Sequence, residues 1–330
     1  MTDSLLAILP VIILILAAEF VNGWTDAPNA IATVVSTRVL SPYQAVAMAT
    51  VFNALGAISG TAVAATIGKD IVQPDVINLT TVAAAMVGII LWSTMAWYYG
   101  LPTSESHALI AGLTGAGLAT AGPSALLWEG WSKVLIGLLF STFLGFFGGL
   151  FIMGIIYRIF ANHRPGSVRS VFGRLQILSA AFMAFSHGSN DGQKFIGVFS
   201  LALLLGGIFQ EFRTPIWVIL LCAVTMGLGT AVGGWRIVRT MGLRLTKLEP
   251  VHGFAAETAA AMTIETATRL GIPLSTTHTI NTAIIGVGAT RRFSAVRWGV
   301  TFEIATAWIL TFPVCGAIGW LVAKAFLLMQ

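Results

Sequence analysis

Apolar runs recur along this chain with so few charges between them that a membrane-embedded helical fold is the architecture they permit. They lie at about Leu5–Val21, Gln44–Ile67, Ile77–Tyr99, Ala108–Ala121, Val134–Phe160, Val171–Ser186, Phe195–Phe209, Pro215–Trp235, Phe254–Leu270, Thr279–Ala289 and Trp298–Leu328. A helix needs roughly 20 apolar residues to cross a bilayer, so several of these runs are too short. Only 9% of the 330 residues are charged, where a soluble domain carries about 25%. The sequence therefore reads as an all-α integral membrane protein, polytopic and in contact with lipid. Its N-terminus has Asp3 in place of the basic stretch of a signal peptide, so Leu5–Val21 reads as a retained membrane segment.

Charge placement excludes several functions. Of the 18 Lys and Arg residues, 11 fall in three clusters, Arg158–Arg174, Arg236–Lys247 and Arg291–Arg297. Basic loops of this kind mark the cytoplasmic side of a membrane, not a nucleic-acid surface. The first two clusters are separated by three apolar runs, so a broken or re-entrant element near residue 191 is expected to bring both to the same side. Cys222 and Cys315 sit in apolar runs with no zinc or redox spacing, and are expected buried and unpaired. No catalytic triad, HExxH motif or Walker lysine is present, so an enzyme is not expected. The 35 glycines suit close helix–helix contact and make a homodimer plausible.

Two polar motifs interrupt the hydrocarbon. NGWTDAPNAIATVVS covers Asn22–Ser36, and HGSNDGQKFIG covers His187–Gly197, 165 positions on. A charge at bilayer depth costs about 2.5–3.5 kcal/mol and usually lines a cavity or pathway. Asp26 and Asp191, with Asn22, Asn29, Asn190 and Gln193 beside them, are good ligands for a hard cation and can equally hold a proton. The bland alternatives are buried salt bridges, Asp191 with Lys194 or Glu19 with Arg38.

A second pair of motifs points to an anion. LPTSESHALIAGLTGAG (Leu101–Gly117) matches IPLSTTHTINTAIIGVG (Ile272–Gly288) at a constant offset of 171. In each, a proline and a run of hydroxyls, Thr103, Ser104 and Ser106 or Ser275, Thr276 and Thr277, precede a Gly/Ala-rich helix. Hydroxyls cap such a helix start, whose free N–H groups and partial positive charge suit an oxyanion. Discontinuous helices are expected here, since unwound backbone is tolerated only beside protein or a watery cavity. An anion next to Asp26 or Asp191 requires a cation or proton between them, which makes the two binding events mutually favourable, the basis of symport. Glu105, inside the first hydroxyl motif, is a further coupling candidate. Glu257, Glu265 and Glu303 are expected to pair with Arg269 or Arg292. His107 and His278 are expected to be neutral and bonded to backbone carbonyls, and His187 is ambiguous.

Together NGWTDAPNA, HGSNDGQK, PTSESH and PLSTTH resemble the duplicated signatures of the inorganic phosphate transporter (PiT) family, especially its bacterial low-affinity permeases. The resemblance implies a carrier with two inverted repeats, residues 1–160 and 175–330, joined by a cytoplasmic linker over 161–174, in a bacterial plasma (inner) membrane. It implies phosphate held by Ser104, Ser106, Ser275 and Thr277. Asp26, Asn29, Asn190 and Asp191 would bind substrate or the coupling cation, and the cargo can include a metal–phosphate complex. Thr25 and Pro28 depart from the family's commoner pattern, which favours protons over a symmetric pair of sodium sites. No cofactor is implied. Sulfate, also tetrahedral, is the closest rival substrate, and an anion channel the rival from another class.

Overall fold

In the computed structural model the chain is described over residues 2–329, with side chains from residue 8 onward, so the side chain of Asp3 lies outside the described residues. Twelve α-helices account for most of the described residues: α1 (Thr2–Ser36), α2 (Pro42–Ala57), α3 (Ala62–Lys69), α4 (Leu79–Tyr99), α5 (Glu105–Ala121), α6 (Trp128–Phe160), α7 (Pro165–Leu205), α8 (Ile216–Val232), α9 (Trp235–Arg239), α10 (Pro250–Arg269), α11 (Thr276–Arg291) and α12 (Trp298–Leu328). By length and composition, α1, α4, α6, α7 and α12 can each cross a membrane. Two further crossings arise if α2 with α3, bent by 69°, and α8 with the Trp235–Arg244 segment, bent by 60°, each count as one.

The breaks fall where local chemistry puts them. Gly100 ends α4 with φ at 70°, a conformation that glycine adopts without penalty, and Gly271 does the same after α10 at 67°. Ser104 and Ser275 then start α5 and α11 by accepting from the backbone N–H groups of His107 and His278. These are the two discontinuous elements that the hydroxyl motifs predict. At 17 and 16 residues, α5 and α11 are short of a full crossing.

The aspartate motifs behave otherwise. Asn22–Ser36 lies wholly within α1, which continues through Pro28, and His187–Gly197 lies wholly within α7. Neither is an interruption of helix. Helices on every side of α1 take up the polar groups, and such packing lets a membrane helix tolerate an internal proline. No broken element surrounds Asp191. Instead Val171–Ser186 and Phe195–Phe209 fuse into one helix of 41 residues, about 60 Å long. That fusion leaves two helices, α7 and α8, between the first two basic clusters, which satisfies the parity by a different device. Only residues 161–164 of the expected linker are non-helical, because Pro165 is placed to begin α7.

Two apolar cores lie either side of a polar layer. On α1, Ile8–Ala18 belongs to one core and Ala30–Val34 to the other, while on α7 the order is reversed, with Phe172–Ala184 in the second core and Phe195–Leu203 in the first. Helices α1 and α7 therefore run antiparallel. The same reversal holds for α5, in the first core, and α11, in the second. Contacts are exchanged between the halves: α1 packs on α8, α2 on α7, α12 on α4 and α5, and α6 on α10 and α11. The basic clusters meet at one end, where Lys247, Arg291, Arg292 and Arg297 line one cavity and Arg169 and Arg291 another.

The α2–α7 crossing is set by Gly56 and Gly188. A Cβ on Gly188 would strike the backbone of Asn53, and one on Gly56 the backbone of Phe185 and Ser189, which cannot rotate away. Gly188→Ala is expected to part the helices and lower stability by about 1–3 kcal/mol. Thermal unfolding in detergent measures this, and an unchanged midpoint would refute the close contact.

Candidate functional site

The polar layer is built on α1 and α7 and closed by the first turns of α5 and α11. His187 joins the two aspartates: its Nε2 lies 3.2 Å from Asp191 Oδ2 and 4.0 Å from Asp26 Oδ2. On the other side of the ring, Nδ1 is 3.0 Å from Asn53 Oδ1. The Asn53 amide donates to Thr230 Oγ1 at 3.0 Å, so its oxygen faces the imidazole and Nδ1 carries the proton. Nε2 and two carboxylates then point at a common space, each offering an atom within 4.8 Å of the others. A proton or a divalent cation fits such a donor set.

The hydroxyls of α11 tie this cluster to the helix end. Thr276 donates to Asp191 Oδ2 at 2.7 Å, and Thr277 to Asp26 Oδ2 at 3.3 Å. Asn29 donates to Thr277 at 2.9 Å and to Thr276 at 3.4 Å. From the other tip, Ser106 donates to the Leu274 carbonyl at 2.9 Å, and the Lys194 ammonium bonds to Ser106, Asp191 and Leu274. The rings of His107 and His278 meet edge to face with centroids 4.6 Å apart. The two helix N-termini therefore touch. None of Asp26, Asn29, Asp191, Lys194, Ser106, Thr276 and Thr277 is more than 3% exposed, so the site is closed to both ends.

The remaining candidates divide. Glu105 accepts from Thr25 at 2.9 Å and from Ser93 at 2.6 Å, beside the cluster and without a cation partner among the described residues. Ser104 and Ser275 are occupied in capping. Gln193 accepts from the Val63 N–H at 3.0 Å and serves the start of α3, while Asn190 donates to Thr268 at 2.7 Å. Asn22 donates to Glu19 at 3.2 Å, so Glu19 does not pair with Arg38. Thr103 is buried in the connection before α5. Asp191 does pair with Lys194, the bland alternative, yet it also contacts His187 and Thr276.

Several expectations need correction. His107 and His278 do not bond backbone carbonyls: Nδ1 of His107 and both ring nitrogens of His278 have no hydrogen-bond partner among the described residues, and His278 stacks on Trp308 at 3.8 Å. The two rings pack on each other and on Phe312 and Trp308 instead. Glu265 pairs with Arg269 at 3.0 Å as expected, but Glu303 pairs with Arg244 at 3.3 Å, an exposed pair near the point where the Arg297 N–H, just before α12, donates to the Leu245 carbonyl. Glu257 pairs with no cation among the described residues. It accepts from Thr33 at 2.5 Å, Gln176 at 3.1 Å and Ser179. This network and the bridging role of His187 go beyond what the motifs suggest. One signal for them lies in α1, where Glu19, Asn22, Asp26, Asn29, Thr33 and Thr37 recur at spacings of three and four, a polar stripe down one helix face.

A polytopic helical protein that closes charged groups between the ends of broken helices is a membrane transporter. The chain belongs to the phosphate transporter family, whose model matches it twice, over residues 22–168 and 160–319. It is 46% identical over 302 residues to a "Probable low-affinity inorganic phosphate transporter" of Rhizobium meliloti, covering 91% of this chain and 90% of that one. Proteins of the same description from Bacillus subtilis and Mycobacterium leprae are 40% and 38% identical, over 96% and 97% of this chain and 96% and 78% of theirs. A solved structure, "The sodium-dependent phosphate transporter", superposes with a TM-score of 0.83 over 98% of this chain and 100% of that one. At 24% identity it establishes the shared fold.

Proposed function

We propose that the chain is a proton-coupled symporter that imports inorganic phosphate across a bacterial plasma membrane, its basic end facing the cytoplasm. The observation that carries this reading is that the first turn of α11 bonds both aspartates at once, Thr276 to Asp191 and Thr277 to Asp26. An oxyanion at the helix ends and a cation or proton at the carboxylates then share one network, so each strengthens the other. The antiparallel α1 and α7, with α5 and α11 in opposite cores, support two inverted repeats that rock about this layer. An imidazole nitrogen among the donor atoms favours protons, since sodium prefers oxygen donors. Phosphate is favoured over sulfate because Asp26 and Asp191 can accept a hydrogen bond from HPO₄²⁻, which sulfate cannot offer. A closed site argues for a carrier over a channel.

A second reading, in which phosphate travels with a divalent metal, is favoured by the convergence of Asp26, His187 and Asp191. The metal is then cargo. Both readings are tested by uptake of labelled phosphate and sulfate into proteoliposomes, with proton and sodium gradients imposed separately and divalent metal present or chelated. Phosphate uptake driven by the proton gradient is expected. Uptake indifferent to both gradients would sink symport, and equal sulfate uptake would sink the substrate assignment. Thr277→Val keeps the shape of the side chain but removes its hydrogen bond to Asp26. The KM for phosphate is expected to rise about 10–100-fold, the worth of a hydrogen bond to a charged group.

A further inference from the structure

We propose that the Lys194 ammonium is a tethered cation standing where a second coupling ion would bind, so that of the two matched aspartate positions only that at Asp26 stays exchangeable. The ammonium is enclosed by the Asp191 carboxylate, the Ser106 hydroxyl and the Leu274 carbonyl, the last at 2.8 Å. These oxygens come from three different places: α7, the first turn of α5, and the unwound segment before α11. Carboxylate, hydroxyl and unwound-backbone carbonyl oxygens are the donors by which transporters with broken helices hold a coupling cation. An ammonium has three N–H donors, and here each has its acceptor. Lys194 is 1% exposed, so its charge is neutralised within this cage and not by water.

The internal repeat shows what the lysine has displaced. The offset of 165 that relates Asp26 to Asp191 relates Asn29 to Lys194, and the offset of 171 relates Ser106 to Thr277. Each aspartate faces the hydroxyl of the opposite half. Thr277 reaches Asp26 directly at 3.3 Å, with the neutral Asn29 amide alongside. Between Asp191 and Ser106 the ammonium is inserted instead. One of two matched carboxylate–hydroxyl pairs is thus permanently filled by the chain itself, and the other is left for a proton that comes and goes.

The inference rests on the cation-coupled reading of the site, and its test separates the two. The probe is sodium alone, compared with choline at equal ionic strength, on the wild type, Lys194→Asn (which copies the other half) and Lys194→Gln. Without phosphate, sodium is expected to raise the thermal midpoint of the variants saturably and to leave the wild type unmoved. In proteoliposomes, sodium is expected to stimulate phosphate uptake by the variants about 10-fold or more, within the range of linked sites, and not that of the wild type. If a variant is unstable in choline, recovery of folded protein in sodium supports the cage equally. Variants indifferent to sodium in midpoint, or a wild type that sodium already stabilises, would overturn the proposal. A wild type that fails to move phosphate would count against the substrate reading while the sodium titration still decides the cage.

Discussion

Asp26→Asn and Asp191→Asn are each expected to abolish gradient-driven phosphate uptake, and they are expected to differ in stability. Asp191 carries the only buried ion pair between full charges among the described residues, that with Lys194. Its replacement strands an ammonium at bilayer depth, and removing one partner of a buried pair costs about 3–5 kcal/mol. Asp26 has the imidazole of His187 at 4.0 Å and the hydroxyl of Thr277 at 3.3 Å as partners, both able to bond to an amide. Asp26→Asn is therefore expected to insert and fold with a midpoint near that of the wild type, while Asp191→Asn unfolds earlier. Uptake and thermal midpoint measured on the same preparations check both halves of the statement. Normal uptake by both variants would make the aspartates structural.

Glu105→Gln is expected to separate transport from the proton gradient. Glu105 is 2% exposed, and Thr25 and Ser93 are its bonding partners. An ionised carboxylate so placed is unstable unless a cation approaches, so it carries a proton or takes one up as the site changes state. Glutamine keeps the volume and can bond both hydroxyls, which preserves the fold. The gain in phosphate affinity conferred by proton binding, about 5–150-fold for linked sites, is expected to vanish in the variant. Phosphate binding at two pH values, with wild type and variant side by side, measures it. An undiminished proton dependence would place the coupling proton elsewhere, with Asp26 next to be examined.

Much of the site was legible because its chemistry is unusual for its surroundings. Asp26, Asp191 and the two hydroxyl motifs stand out of hydrocarbon, and their duplication fixes which residues correspond. The breaks before α5 and α11 were legible too, since Pro102 with Ser104 and Pro273 with Ser275 encode a helix start in a few adjacent residues. The continuity of α1 and α7 was not. A polar stretch inside an apolar run looks like an interruption until the partners of Asn29, Asp26 and Asp191 are known, and those partners lie on other helices. The same holds for His187, whose role depends on Asn53, 134 positions away.

The sequence by itself determined that this is a helical membrane protein with two duplicated polar motifs, because hydropathy, proline and capping hydroxyls act over a few residues along the chain. Tertiary structure decided the rest: that the aspartates sit in unbroken helices, that the two broken helices meet tip to tip, and that the Lys194 ammonium sits between Asp191 and Ser106. Each of these depends on which buried polar group finds which partner across the bundle. In a medium without water every such group must be satisfied by the protein, and that constraint acts on the assembled helices together, not on any one stretch of chain.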